Sequence, residues 1–201
     1  MASSNDTGAP TRLSSLVNNV QEDGYVIIPN AFSKEEIAQA KAEVERLSRI
    51  PGAGPASEGG RNPFEGYQTR RIYALLNKSR VFDKFTMHPD VMALNDHFLD
   101  EGFLINAFMS INILPGEDPQ ALHHDDSPVK LARPRPPLTA AIMVALDDYT
   151  ADNGSTVVVP KSHQWADRKP FIEEAKPVIM PAGSIVYFVG TLWHGGGRNE
   201  T

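Results

Sequence analysis

At 201 residues and 22.0 kDa, with 41% of its residues hydrophobic, the chain is long enough to bury one sizeable core and reads as a single domain. Its net charge of −6 carries no basic stripe, which excludes a nucleic-acid surface, and the absence of cysteine excludes a disulfide framework, a thiolate zinc site and a cysteine nucleophile. No run of about 18 apolar residues and no basic-then-apolar leader occurs, so the expectation is an intracellular, cytoplasmic protein that does not span a membrane.

Residues 1–12 are small and polar and read as a disordered N-terminus, leaving 13–201 as the domain. A short helix over Leu13–Gln21 precedes Asp23-Gly24, and Tyr25–Ile28 follows as a strand closed by Pro29. Ser33-Lys34-Glu35-Glu36 is a capping box, and Ile37, Ala40, Val44 and Leu47 continue at helical spacing, which predicts a scaffold helix over 34–48 packed on a sheet. Residues 50–64 hold too many glycines and prolines for regular structure and form either a lid or a plain excursion. Arg70 and Arg71 either meet an anionic substrate group or lie on a solvated face, and the solvated face is the better prior. Helices are expected over 80–87 and 90–99, with Pro89 in the first turn of the second and Asp90 near its positive end.

After residue 102 the period changes. Phe103–Leu114 reads as a strand, Pro115-Gly116 turns it, and Leu122–Asp126 reads as a second strand. The Pro-, Lys- and Arg-rich stretch 127–137 is a second candidate lid, with Lys130, Arg133 and Arg135 as candidate partners for the phosphates of an acyl-CoA or as an ordinary solvated loop. Strands are predicted over Leu138–Leu146, Ser155–Val159, Val178–Met180 and Ser184–Val189, separated by turns at Asn153-Gly154 and Pro160–His163. Helices in front and short strands behind predict an α+β domain whose second half is a β sandwich or barrel.

Three His-x-Asp triplets occur where roughly 0.4 would arise by chance. His88-Pro89-Asp90 is explained by its helix start. His123-His124-Asp125 and His124-Asp125-Asp126 overlap, and strand alternation sends them to opposite faces, so at most one enters a pocket. A distant third ligand at His194 would complete the two-histidine, one-carboxylate face that holds Fe(II) and leaves positions open.

The ordered run Pro115-Gly116-Glu117, Gln120 to Asp126, Leu146-Asp147-Asp148, Asn153 to Thr156, Pro160 to His163, Pro181 to Ser184 and Trp193-His194 resembles the phytanoyl-CoA dioxygenase family over roughly residues 20–201. The resemblance implies a double-stranded β-helix (jelly-roll, cupin-like) with N-terminal flanking helices. It also implies Fe(II) held by His123, Asp125 and His194, with 2-oxoglutarate as co-substrate near Gln120, O2 as oxidant and a small-molecule substrate. His124 and Asp126 then face away. Hydroxylation of a secondary metabolite or an acyl-CoA is the expected outcome, with desaturation, cyclisation and endoperoxidation left open, as is a homodimer. Asp125 argues against the halogenating relatives, which lack that carboxylate. The family's arginine ten or eleven positions after the distal histidine would fall beyond Thr201, and Arg198 does not take its place, so the expectation is a chain truncated before its last strand that binds 2-oxoglutarate poorly. The alternatives are a different metal-dependent cupin-type enzyme and a non-catalytic or truncated relative.

Overall fold

The computed structural model describes residues 11–50 and 62–201. The disorder expected for residues 1–12 and the lid expected over 50–64 fall almost wholly outside the described residues. Helix α1 (Arg12–Asp23) starts at Thr11, whose side chain accepts from the Ser14 amide, and stops at Gly24, whose amide returns to Val20 O. Gly24 takes φ +87°, and a Cβ there would lie 2.6 Å from both His163 and Leu192. That turn delivers the chain into β1 (Tyr25–Ile28).

Helix α2 (Lys34–Ser48) carries the expected capping box, with the Ser33 amide donating to Glu36 Oε2 at 2.9 Å and the Glu36 amide donating to Ser33 Oγ at 3.2 Å. Ile37, Ala40 and Leu47 form its buried face. Ser33→Ala is expected to lower stability by about 1 kcal/mol, read as a fall of about 2–4 °C in the thermal midpoint. Ser33→Asp should retain the wild-type midpoint.

The predicted helix over 80–87 is instead a 3₁₀ turn, Arg80–Phe82, followed by a single helical turn, α4 (Asp83–Thr86), and preceded by another, α3 (Leu75–Lys78). Helix α5 (Pro89–Phe98) begins on Pro89, and Asp90 in its first turn binds Arg12 of α1 at 2.8 Å.

Three antiparallel groups of strands follow. The central sheet runs β1, β7 (Ile185–Val189), β4 (Ala140–Val144), in register Tyr25 with Phe188 and Ala141 with Phe188. All five residues of β7 are buried. Alternation sends Tyr187 toward α5, where its ring lies 6.4 Å from that of Phe98, and Phe188 to the opposite face, 4.4 Å from His194. A second sheet runs β6 (Lys176–Pro177), β5 (Thr156–Val158), β8 (His194–Gly196), and β2 (Thr69–Ile72) pairs with β3 (Ser110–Ile113). Flanking helices against this jelly-roll core give the expected α+β double-stranded β-helix.

Several strands are shorter than their apolar runs. The strand expected over Phe103–Leu114 pairs only from Ser110, because β2 offers four partner residues and Leu104, 89% exposed, has nothing to pack on. The strand expected at Val178–Met180 pairs two residues earlier, at Lys176–Pro177, and again at the isolated bridge Met180 to Tyr149. β2 itself was not foreseen, since Thr69 is buried by a bond its hydroxyl donates to Glu117, 48 positions away.

His163, in the turn at Ser162–Gln164, donates from Nε2 to Gln21 O at 3.1 Å and packs where a Gly24 side chain would be. Burial holds its pKa below the ordinary imidazole range. The unfolded chain therefore binds the proton more readily than the folded one, and stability falls as pH drops below about 6.5, the unperturbed value. His163→Gln should flatten the dependence of the thermal midpoint on pH between about 7 and 5.

Candidate metal centre

The backbones of His123 and His194 form a reciprocal antiparallel bridge: His123 N donates to His194 O at 2.9 Å and His194 N to His123 O at 2.8 Å. Residues directly opposite in such a pair present their side chains on one face. The two imidazoles accordingly lie 4.4 Å apart, centroid to centroid. The expected strand Leu122–Asp126 is reduced to this one bridge, because Ser127 N bonds His124 O and Val129 N bonds Asp126 O in a turn that starts at Asp125. The turn still brings the carboxylate back: Asp125 Oδ1 lies 3.8 Å from His123 Nε2 and 3.6 Å from His194 Nε2. One donor atom from each residue falls within 4.8 Å of the others.

The tautomers follow from geometry. His123 Nδ1 is 3.0 Å from Ala121 O, and His194 Nδ1 is 3.0 Å from Leu192 O. A carbonyl only accepts, so each Nδ1 carries a proton, and each ring is thereby turned with its Nε2 toward Asp125. His194 is buried, 4% exposed, on the ring of Phe188, and burial pushes its pKa down, against the opposing pull of Asp125. It stays neutral. His123 is half-buried under the edge of Phe64 at 4.9 Å, and Asp125 is the exposed side of the cluster. No lysine or arginine pairs with Asp125 among the described residues, so its charge is available to a cation. This donor set suits a divalent metal with N/O preference such as Fe(II).

His124 and Asp126 face away, as the resemblance implied. His124 meets Trp193 edge-on at 5.0 Å, and its pKa is lowered by burial and then by Arg133. Asp126 is held by Arg135 at 2.9 Å. The stretch 127–137, expected as a lid or an acyl-CoA contact, is fastened down: Arg133 donates to Ser162 O and Thr191 O, Arg135 to Asp126, and Lys130 to Ser127 O. Its two arginines are occupied internally and are not free phosphate ligands.

Gln120 has both ends of its amide engaged, Oε1 accepting from Gly196 N at 3.1 Å and Nε2 donating to Phe64 O at 2.9 Å. It ties β8 to the segment that carries Phe64. Glu117, buried and three positions earlier, holds the start of β2 by accepting from Tyr67 N, Gln68 N and Thr69 Oγ1. Phe64, Glu117 and Phe188 carry no local sequence signal for these roles. Arg198 is on the surface, paired with Asp118 at 3.1 Å, in keeping with its exclusion from the site.

A two-histidine, one-carboxylate cluster across facing strands of a double-stranded β-helix defines a candidate mononuclear metal centre. The chain belongs to the phytanoyl-CoA dioxygenase (PhyH) family, whose profile matches residues 20–201. Its similar curated proteins include "Dioxygenase trt7" of Aspergillus terreus, 29% identical over 90% of this chain, and "Dioxygenase olcK" of Penicillium canescens, 30% identical over 94% of it. The chain spans 66% of the length of each. Among solved structures, the non-heme alpha ketoglutarate dependent carbocyclase SnoK from nogalamycin biosynthesis superposes with a TM-score of 0.73 at 20% identity, covering 96% of this chain and 82% of that one. The epimerase SnoN, in complex with Fe3+, alpha ketoglutarate and nogalamycin RO, superposes with a TM-score of 0.67 at 20% identity, covering 94% and 78%. Among the described residues no helix is long and apolar enough to cross a membrane.

Proposed function

We propose that this chain is the metal-binding domain of an Fe(II)- and 2-oxoglutarate-dependent dioxygenase that oxidises, most simply by hydroxylation, a C–H bond of a specialised small molecule. The observation that carries the reading is the pair of Nδ1–H···O=C bonds, which turn both Nε2 atoms, together with a carboxylate that no lysine or arginine pairs among the described residues, toward a common point. His123, Asp125 and His194 are the proposed iron ligands. Bound iron would supply O2 activation coupled to decarboxylation of 2-oxoglutarate to succinate.

The chain's own residues supply placement. Phe188 closes the inner side of His194 against water, Phe64 covers His123, and Gln120 holds the Phe64 segment beside β8 next to the proposed co-substrate position. Asp125, 36% exposed, is the side of the cluster from which a substrate would approach. Support for a specialised metabolite comes from the relatives named dioxygenases in filamentous fungi and from the nogalamycin enzymes that share the fold. The test is anaerobic titration of Fe(II) and 2-oxoglutarate into the protein, watching for the visible charge-transfer band of the chelate. A band that His123→Ala removes supports the reading. Fe(II) binding that no 2-oxoglutarate perturbs would instead favour another metal enzyme of this fold.

A further inference from the structure

We infer that Asp126 is a positioning residue that fixes the Asp125 carboxylate for metal capture, acting through the turn the two residues share. The inference rests on the reading of His123, Asp125 and His194 as metal ligands. Among the described residues Asp125 accepts no hydrogen bond from a main-chain donor, and the polar side chains that meet its carboxylate there are the two imidazoles. Its place is therefore dictated by its main chain, and its main chain is dictated by the next residue.

Asp126 is 1% exposed and fully engaged. Its Oδ2 accepts from Arg135 Nη1 and Leu138 N, each at 2.9 Å, and its Oδ1 accepts from Thr139 Oγ1 at 2.8 Å. Its amide donates to Gly190 O at 2.9 Å. Gly190 N in turn donates to Thr139 O at 2.7 Å, and a Cβ on Gly190 would lie 2.0 Å from Thr139 Oγ1 and 2.6 Å from Asp126 Oδ1. One closely fitted latch thus joins the turn holding Asp125 to the segment that leads, four residues on, to His194. It sets both ends of the cluster.

The chemistry requires aspartate. Three donors converge on two oxygens, and an asparagine offers one oxygen and turns an NH2 toward the remaining donors. The guanidinium of Arg135 neutralises the buried charge, so Asp126 does not draw the metal away from Asp125.

The test is anaerobic Co(II) titration of the full chain, reading both affinity and the d–d spectrum at saturation, with thermal midpoints taken without metal. Asp126→Asn should bind Co(II) about tenfold more weakly than wild type, the low end of what outer-shell changes at metal sites cost, because it displaces the turn and not a direct partner of the ligand, and should alter the d–d spectrum. Thr139→Val should weaken binding in the same direction, whereas Thr139→Ser, which keeps the hydroxyl, should restore wild-type affinity and spectrum. If Asp126→Asn does not fold, the Thr139 pair decides. Wild-type affinity and spectrum in both Asp126→Asn and Thr139→Val would overturn the inference, as would loss of fold in both, since Asp126 would then serve the core as a whole. A wild-type chain that binds no Co(II), indistinguishable from His123→Ala, would instead sink the metal-centre reading and this inference with it.

Discussion

Asp125→Ala is expected to abolish Fe(II) loading while leaving the metal-free fold as stable as wild type. The carboxylate is the only anion in the cluster, so the attraction for a divalent ion depends on it. It also holds nothing else together: its side chain is 36% exposed and pairs with no lysine or arginine among the described residues. Metal at 100 times its dissociation constant stabilises a protein by about 2.7 kcal/mol, which for a chain of this size raises the thermal midpoint by about 5–10 °C. Wild type should show that rise with Fe(II) under anaerobic conditions and Asp125→Ala should show none. Asp125→Asn keeps an oxygen without the charge and should fall between them. An undiminished rise in Asp125→Ala would mean that the metal sits elsewhere.

Phe188→Ala is expected to carry the largest stability cost of any substitution near the site. The side chain is fully buried in the middle strand of the central sheet, with strands on both sides and the His194 ring 4.4 Å from its own. Truncating a buried phenylalanine to alanine costs about 3–5 kcal/mol through lost burial and the cavity left behind. The thermal midpoint should fall by about 6–20 °C. Phe188→Leu refills most of that volume and should cost about 1 kcal/mol. Because Phe188 is the floor on which His194 rests, the alanine variant should also weaken Fe(II) binding at a temperature where it is still folded. Wild-type metal affinity there would show that the Nδ1 bond to Leu192 O suffices to orient His194.

The legibility of this chain in its sequence followed the range of the forces involved. The capping box at Ser33–Glu36, the proline start of α5 and the turn at Asn153-Gly154 are local devices, and all three are where they were expected. β7 was legible because burial on both faces demands an unbroken apolar run, Ile185 to Val189. The strand over Thr69–Ile72 was hidden, since what buries Thr69 is a carboxylate 48 positions away. In the candidate site, the His-x-Asp spacing marked two overlapping triplets with His194 as a distant third ligand, and the resemblance chose His123 and Asp125 and turned His124 and Asp126 outward. Nothing local could show that the Asp126 donors would come from Arg135, Leu138 and Thr139 across a loop. The lid reading of 127–137 failed for the same reason: Arg133 finds two carbonyls, at Ser162 and Thr191, that sequence proximity does not bring near.

The backbone bridge between His123 and His194 has a consequence for how the protein is made. Two of the three proposed ligands are separated by 71 positions and become neighbours only when that particular pair of hydrogen bonds closes. Closing a loop of that length carries an entropic cost that the intervening strands must first offset. A chain emerging from the ribosome therefore presents at most two of the three proposed ligands until residue 194 is out and paired. If these residues hold iron, the complete ligand set exists only in the folded chain, and metal loading would report on completed folding.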